Sequence, residues 1–192
     1  SDKNLQAYIV GLSIGDGNLS NPNGRATRLR ITCDPKYPYL LNKIQKSVQL
    51  LLPENRVQLI YKFRCIDISV YSNHLENILG WKAGNGSKFI QKVSIPEWIK
   101  EKEEYKINCL RGLIETDGSI YSDRGYKMVM FTTIIPKLAK DVFEIINSLG
   151  FTAHIYRLKP SKNSPYNQQI RYNIRISKNT SEFLNLVHPE KS

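Results

Sequence analysis

Residues 9–17 read Ile-Val-Gly-Leu-Ser-Ile-Gly-Asp-Gly, and an altered copy, Leu-Arg-Gly-Leu-Ile-Glu-Thr-Asp-Gly, returns at 110–118. This repeat limits the possible folds more than any other feature, because it makes the chain a tandem duplication. In each copy two small residues stand four apart, Gly11 with Gly15 and Gly112 with Thr116. On a helix they share one face, which lets two helices approach backbone to backbone. Each copy ends in Asp-Gly, where glycine is expected to let the chain leave the helix in a left-handed conformation. Two such helices side by side bring Asp16 and Asp117 together at one end.

The elements around the repeats follow from periodicity. Residues 4–15 read as a helix, and a polar, turn-rich stretch, Asn18 to Gly24, follows it. Leu29, Ile31 and Cys33 alternate with Arg28, Arg30 and Thr32, which predicts a half-buried strand over 26–33 with a basic face. Pro38 opens a helix to Leu52, strands follow at 56–63 and 65–71, and a short helix spans 73–79. Residues 97–106 form a charged, solvated connector between a first half, 1–96, and a second, 107–192. The order then repeats, with strands at 126–133, 151–158 and 169–176, a helix from Pro136 to Leu149 and another over 180–187. The fold class is mixed α/β: two αββαββα halves related by a pseudo-two-fold axis, motif helices at the centre and antiparallel sheets forming a saddle.

Length allows one large domain or two small ones with real cores. A net charge of +11 favours a polyanionic partner, and paired strands with a basic face fit a B-DNA major groove. Cys33, Cys65 and Cys109 are odd in number and lack metal-like spacing, so buried thiols in a reducing compartment are expected. No apolar run reaches membrane-spanning length, which leads to the expectation of a soluble, intracellular chain.

The duplicated nonapeptides and the repeated element order resemble the LAGLIDADG homing endonucleases, in the monomeric form that carries both motifs on one chain. The resemblance implies a sequence-specific enzyme that hydrolyses both strands of a long asymmetric DNA site and leaves 3′ overhangs. Family members are often mobile elements of introns or inteins. The acidic residue before the final glycine of each motif binds metal in the family, which here designates Asp16 and Asp117. Hard Mg²⁺ suits such a carboxylate pair completed by backbone carbonyls, here those of Gly15 and Thr116, with Mn²⁺ or Ca²⁺ able to substitute for binding. The motif's sixth position is Ile14 in one copy and Glu115 in the other, so Glu115 is not counted as catalytic.

The family also places a basic residue near each scissile phosphate. Aligning the last helices of the halves designates Lys88 and Lys191, with Lys92 and Lys82 as rivals in the first half. The family's polar residue after the first long strand falls near Cys33–Asp34 and at Thr133. His74, His154 and His188 form no metal or nuclease constellation. The expected DNA-reading set is Asn18, Ser20, Asn23, Arg25, Arg28, Arg30, Thr32, Gln58, Lys62 and Asp67 in the first half. In the second it is Tyr126, Lys127, Gln169, Arg171, Asn173 and Arg175. Arginine suits guanine edges, and asparagine or glutamine suits adenine. The expected partner is double-stranded DNA, with no membrane and no obligate homo-oligomer. An RNA-binding splicing cofactor acting on intron RNA, or a DNA-binding module without cleavage, are the alternatives.

Overall fold

A computed structural model describes residues 2–165 and 168–191. The first half runs α1 (Lys3–Asp16), β1 (Gly17–Ser20), β2 (Thr27–Cys33), α2 (Pro38–Leu51), β3 (Gln58–Tyr61), β4 (Ile66–Ser72) and α3 (Leu75–Leu79). A 3₁₀ turn, Glu97–Glu101, leads into the second half. There follow α4 (Glu103–Asp117), β5 (Gly118–Asp123), β6 (Tyr126–Thr133), α5 (Pro136–Ser148), β7 (Ala153–Leu158), β8 (Arg171–Ile176) and α6 (Thr180–Val187). Local chemistry accounts for several boundaries. The Asp2 carboxylate accepts the Leu5 N–H and caps α1, and Pro38 and Pro136 occupy first-turn positions where no amide is needed.

Each half builds one antiparallel sheet, with strand order β1-β2-β4-β3 in the first and β5-β6-β8-β7 in the second. Leu29, Ile31, Ile68 and Val70 line the inner face of one, and Val129, Phe131, Ile174 and Ile176 that of the other, all buried under helices. Alternation sends the intervening polar residues to the opposite face. Among the described residues no helix is long and apolar enough to cross a membrane.

The two motif helices join the halves along a seam that runs through the shared core. A β-carbon on Gly112 would stand 2.5 Å from the Leu12 backbone nitrogen, and one on Gly11 would collide with the Cys109 carbonyl. Side chains at these positions would hold the helices apart. Backbone proximity thus sets the closeness of the pair, and each strand that follows, β1 or β5, starts directly at the motif aspartate.

Several sequence expectations change. Gly17 and Gly118 are not left-handed: their φ/ψ are −85°/149° and −86°/158°, extended backbone that enters a strand. Glycine is required there for space, since a β-carbon would lie 2.6 Å from the Cα of Ser13 or of Ile114 in the preceding helical turn. The polar stretch after α1 contains β1, and β5 is its counterpart in the second half. Glu103 and Glu104 already belong to α4, and the 3₁₀ turn buries Ile99, so residues 97–106 are partly structural. Lys100 there donates to Asp141 at 3.0 Å. The described strand β8 begins at Arg171, which leaves Gln169 outside it. Cys33 and Cys109 are buried, while Cys65 is only half-buried.

Candidate active site and nucleic-acid face

At the end of the seam the two motif aspartates stand on the floor between the sheets. Neither carboxylate has a hydrogen bond or an ion pair among the described residues. Burial raises the Asp16 carboxyl above the ordinary aspartate range, and the nearby charges of Lys88 and Lys191 oppose the rise. Asp117 still meets solvent, yet its partial enclosure pushes it up to about 6; the negative charge of Asp16 adds to this, and the two lysines again oppose it. Two partly enclosed carboxylates, with the charge of Asp16 disfavouring that of Asp117, are a site that gains from a cation.

The lysines approach from outside the motifs. Lys88 Nζ donates to the carbonyls of Ser13, Ile14 and Gly15 at 3.1, 2.7 and 3.1 Å in the last turn of α1, where the Ser13 carbonyl also accepts the Gly17 N–H. Lys191 Nζ donates to Thr116 and Gly118 at 3.2 and 2.8 Å at the end of α4. Burial holds the Lys88 ammonium below its ordinary pKa, with Asp117 and Asp16 pulling the other way. Lys82 and Lys92, the rivals, are exposed in the same loop; the Lys82 amide donates to Gln91 Oε1.

Two cavities open at this floor, and each is shared crosswise between the halves. One is lined by Asp16, Thr32, Cys33 and Asp34 of the first half with Thr116 and Lys191 of the second. The other is lined by Asp117, Thr132, Thr133 and Ile134 of the second half with Gly15 and Lys88 of the first. Each therefore joins one motif aspartate, the residue that precedes the aspartate of the opposite motif, and one lysine. Cys33 stands in the first cavity roughly where Thr133 stands in the second. Burial, with the charges of Asp16, Asp67 and Cys65, pushes its thiol up to about 12, so it stays protonated at neutral pH.

The donor set suits a hard divalent ion: two carboxylates without hydrogen-bond partners among the described residues, beside the carbonyls of Gly15 and Thr116, each of which already accepts from a lysine and has a second lone pair to offer. No cluster of three His, Cys, Asp or Glu side chains exists among the described residues, so water and a substrate would have to complete any coordination.

The solvent faces of the sheets carry most of the expected readers. In the first, Asn18, Arg30, Ser69 and Gln58 lie in one cross-strand row, and Ser20, Arg28 and Tyr71 in the next. Arg28 donates to Ser20 at 3.2 Å, while Thr32, Asn23 and Arg25 are exposed. Asp67 differs from expectation, being 1% exposed beneath its neighbours. Its carboxylate accepts from Thr32 at 2.8 Å and pairs with Lys62 at 2.5 Å. Burial raises this carboxyl, but the Lys62 and Thr32 hydrogen bonds and the charges of Lys62 and Arg30 outweigh it and hold it below the usual range. Asp67 thus orients Lys62 and Thr32 and is not itself presented to a partner.

In the second sheet, Asn173 lies between Thr132 and Tyr156, and Arg175 between Met130 and His154. Arg175 donates to the Tyr156 hydroxyl at 2.9 Å, and Arg171 is exposed next to Leu158. Tyr126 alternates with this face, but Lys127 falls on the opposite side with Val129 and Phe131, at its exposed end. Gln169 lines a separate cavity with Lys159 and Arg171 beside the tip of β7 and β8. Residues 166 and 167 of that loop are outside the described residues. Tyr156 and Thr132 were missed as members of the face, although their positions within their strands could have placed them there.

Residues 104–187 match the family described as LAGLIDADG-like domain. A tRNA-splicing ligase RtcB of Methanopyrus kandleri is 25% identical over 188 residues, covering 83% of this chain; the chain spans 18% of that relative's length. The crystal structure of I-DmoI in complex with DNA and manganese is 19% identical, covers 97% of each chain and superimposes with a TM-score of 0.71. Other I-DmoI complexes with DNA were solved with magnesium or calcium. The N-terminal LAGLIDADG domain of DUF199/WhiA is 15% identical, covers 97% of this chain and 83% of that one, and has a TM-score of 0.61.

Proposed function

We propose that this chain, with a LAGLIDADG-like domain in its second half and the fold of the LAGLIDADG endonuclease I-DmoI throughout, is a sequence-specific, divalent-metal-dependent DNA endonuclease that cuts both strands of one long site. The observation that carries the reading is the pair of crosswise cavities, each with a lysine and a motif aspartate that has no hydrogen-bond or ion-pair partner among the described residues, on the floor between two polar sheet faces.

Asp16 and Asp117, with the carbonyls of Gly15 and Thr116, would hold Mg²⁺. When bound, such an ion lowers the pKa of water and stabilises charge on the phosphate and on the leaving 3′ oxygen. The protein's own part is placement. The seam fixes the two carboxylates relative to each other, and the sheets hold the duplex so that one scissile phosphate lies over each cavity. Lys88 and Lys191 would place positive charge beside those phosphates; Lys191 keeps one N–H for a phosphate oxygen, whereas Lys88 must give up one of its three carbonyl hydrogen bonds to donate there. Arg28, Arg30, Asn173, Arg175 and their neighbours read base edges, and lysines at the rims suit phosphates. The two faces differ, with Arg28 and Arg30 on the central strand β2 of the first and Met130, Asn173 and Arg175 on the central strands of the second, which fits an asymmetric target.

The test is incubation of the protein and Mg²⁺ with a randomised duplex library, followed by capture and sequencing of cleaved ends. A single long site cut on both strands, with short 3′ overhangs, is expected. No cleavage in Mg²⁺ or Mn²⁺ together with tight binding to selected DNA or RNA would overturn the nuclease reading in favour of a binding module or splicing cofactor.

A saddle that tracks the backbone also implies steep salt dependence. Log Kd plotted against log salt should be linear, with a slope of about 0.9 for each phosphate neutralised. Substituting Lys62 or Arg171 by Gln should lower the slope by about one such increment each, read by fluorescence anisotropy across a salt series.

A further inference from the structure

Glu115 takes no part in the chemistry described above, yet its side chain is fully buried at the seam. Three groups converge on it. Tyr8 of α1 donates its hydroxyl to Oε1 at 2.5 Å, Lys43 of α2 donates to Oε2 at 2.9 Å, and the backbone N–H of Glu190 donates to Oε2 at 2.7 Å. The last contact bears on the site, because Glu190 directly precedes Lys191.

The path of the chain shows why that contact is needed. One turn earlier on α4, Arg111 Nε donates to the Val187 carbonyl at 2.6 Å and pins the end of α6. His188 then takes a left-handed conformation, φ 52°, which turns the chain. The Glu190 amide docks on Glu115, and from there Lys191 reaches the Thr116 and Gly118 carbonyls. Arg111 and Glu115 together form a two-point clamp, one helical turn apart, on the segment that delivers the lysine.

Among the described residues the first half has no such clamp. Ile14 occupies the position equivalent to Glu115, and the loop carrying Lys88 is organised by Gln91. The Gln91 amide donates to the carbonyls of Lys82 and Gly86 at 2.8 and 2.9 Å, and its Oε1 accepts the Lys82 N–H at 3.0 Å. Two unrelated devices therefore hold two equivalent lysines.

We infer that Glu115 is the positioning residue for Lys191, and through it for the cavity that contains Asp16, while the cavity with Asp117 and Lys88 does not depend on it. Loss of the clamp therefore impairs the cutting of one strand and turns the chain towards a nicking enzyme. The activity arm of this inference rests on the nuclease reading above; the contact itself does not.

The experiment is strand-resolved cleavage of a supercoiled plasmid carrying the selected site. Glu115→Ala should slow one strand by about tenfold or more, with the other within about twofold, so that nicked circles accumulate. The slowed strand must be the one slowed by Lys191→Met, and Glu115→Gln, which keeps an acceptor for the Glu190 amide, should recover part of the rate. Glu190→Pro removes the donated N–H at the periphery with Glu115 intact, and should give the same one-strand defect even where Glu115→Ala does not fold. Equal slowing of both strands, or slowing of the strand that Lys191→Met spares, overturns the inference. Amide hydrogen exchange on the free protein tests the contact without cleavage. The Glu190 amide should be protected in the wild-type chain and exchange at least about tenfold faster in Glu115→Ala, since its acceptor is gone. An unprotected Glu190 amide in the wild-type chain overturns the assignment whether or not the protein cuts DNA.

Discussion

Asp16→Asn and Asp117→Asn should each abolish double-strand cleavage, by about four orders of magnitude as when a member of a catalytic set is removed, and leave DNA affinity nearly intact. The substitution keeps shape and removes charge, so it acts on cation binding and spares the sheet faces. Gel-shift binding beside plasmid cleavage separates the two effects, and equal losses in both would show that these carboxylates belong to the binding surface. The same variants should also be more stable than wild type at neutral pH in the absence of metal. Enclosure and the charge of Asp16 raise Asp117 to about 6, so over the interval from the ordinary aspartate value up to 6 the folded chain holds a proton that the unfolded chain has released. The sign follows: the stability this group contributes is present at low pH and lost as pH rises through about 6. Asp117→Asn should therefore raise the melting temperature at pH 7.5 relative to wild type, a gain that disappears below about pH 3, where the ordinary carboxyl is itself protonated. A melting temperature that falls at pH 7.5 would mean that the carboxylate is a structural partner.

Gly112→Val should cost more than about 4 kcal/mol, a large fraction of the stability of an ordinary domain. The added carbons enter the space held by the Leu12 nitrogen and the Tyr8 carbonyl, and backbone cannot move aside as a side chain can. Urea unfolding should show a collapsed midpoint or no native baseline. Gly24→Ala is the contrast: its φ of +64° strains any other residue by about 1 kcal/mol, but open space surrounds it. A mild effect at Gly112 would mean that the two motif helices are not pressed together as the fold shows.

The halves, their helices and the central pairing could be read from the chain because each has a local signature. The motif repeats fixed the seam, alternation marked the long strands, and prolines opened α2 and α5. The αββαββα order calls for a first strand in each half, but the positions of β1 and β5 were not legible because these strands are short and polar: in Gly17–Ser20 only Leu19 offers a buried apolar side chain. The glycine exits were misread for a reason of scale. A sequence shows that a side chain is missing, but not whether torsion or space requires it, and here the preceding helical turn requires space. Asp67 was taken for a surface reader because alternation gives its face and not its cover, which Lys62 and Thr32 supply. Lys127 was grouped with its neighbour Tyr126, although adjacent strand residues point apart. The role of Glu115 was invisible for a different reason. Its partners Tyr8, Lys43 and Glu190 lie 107, 72 and 75 residues away, and no spacing rule connects them.

The crosswise sharing of the cavities also has a meaning in time, as the chain emerges during synthesis. The first half, once made, has a complete sheet face and one motif aspartate, but neither cavity exists without α4 beside it. On the nuclease reading proposed above, neither cavity can form before the second motif helix has been made and docked, and the cavity of Asp16 waits longer still, for Lys191. Under that reading the order of translation delays cutting capacity until almost the whole chain is made, without an inhibitor.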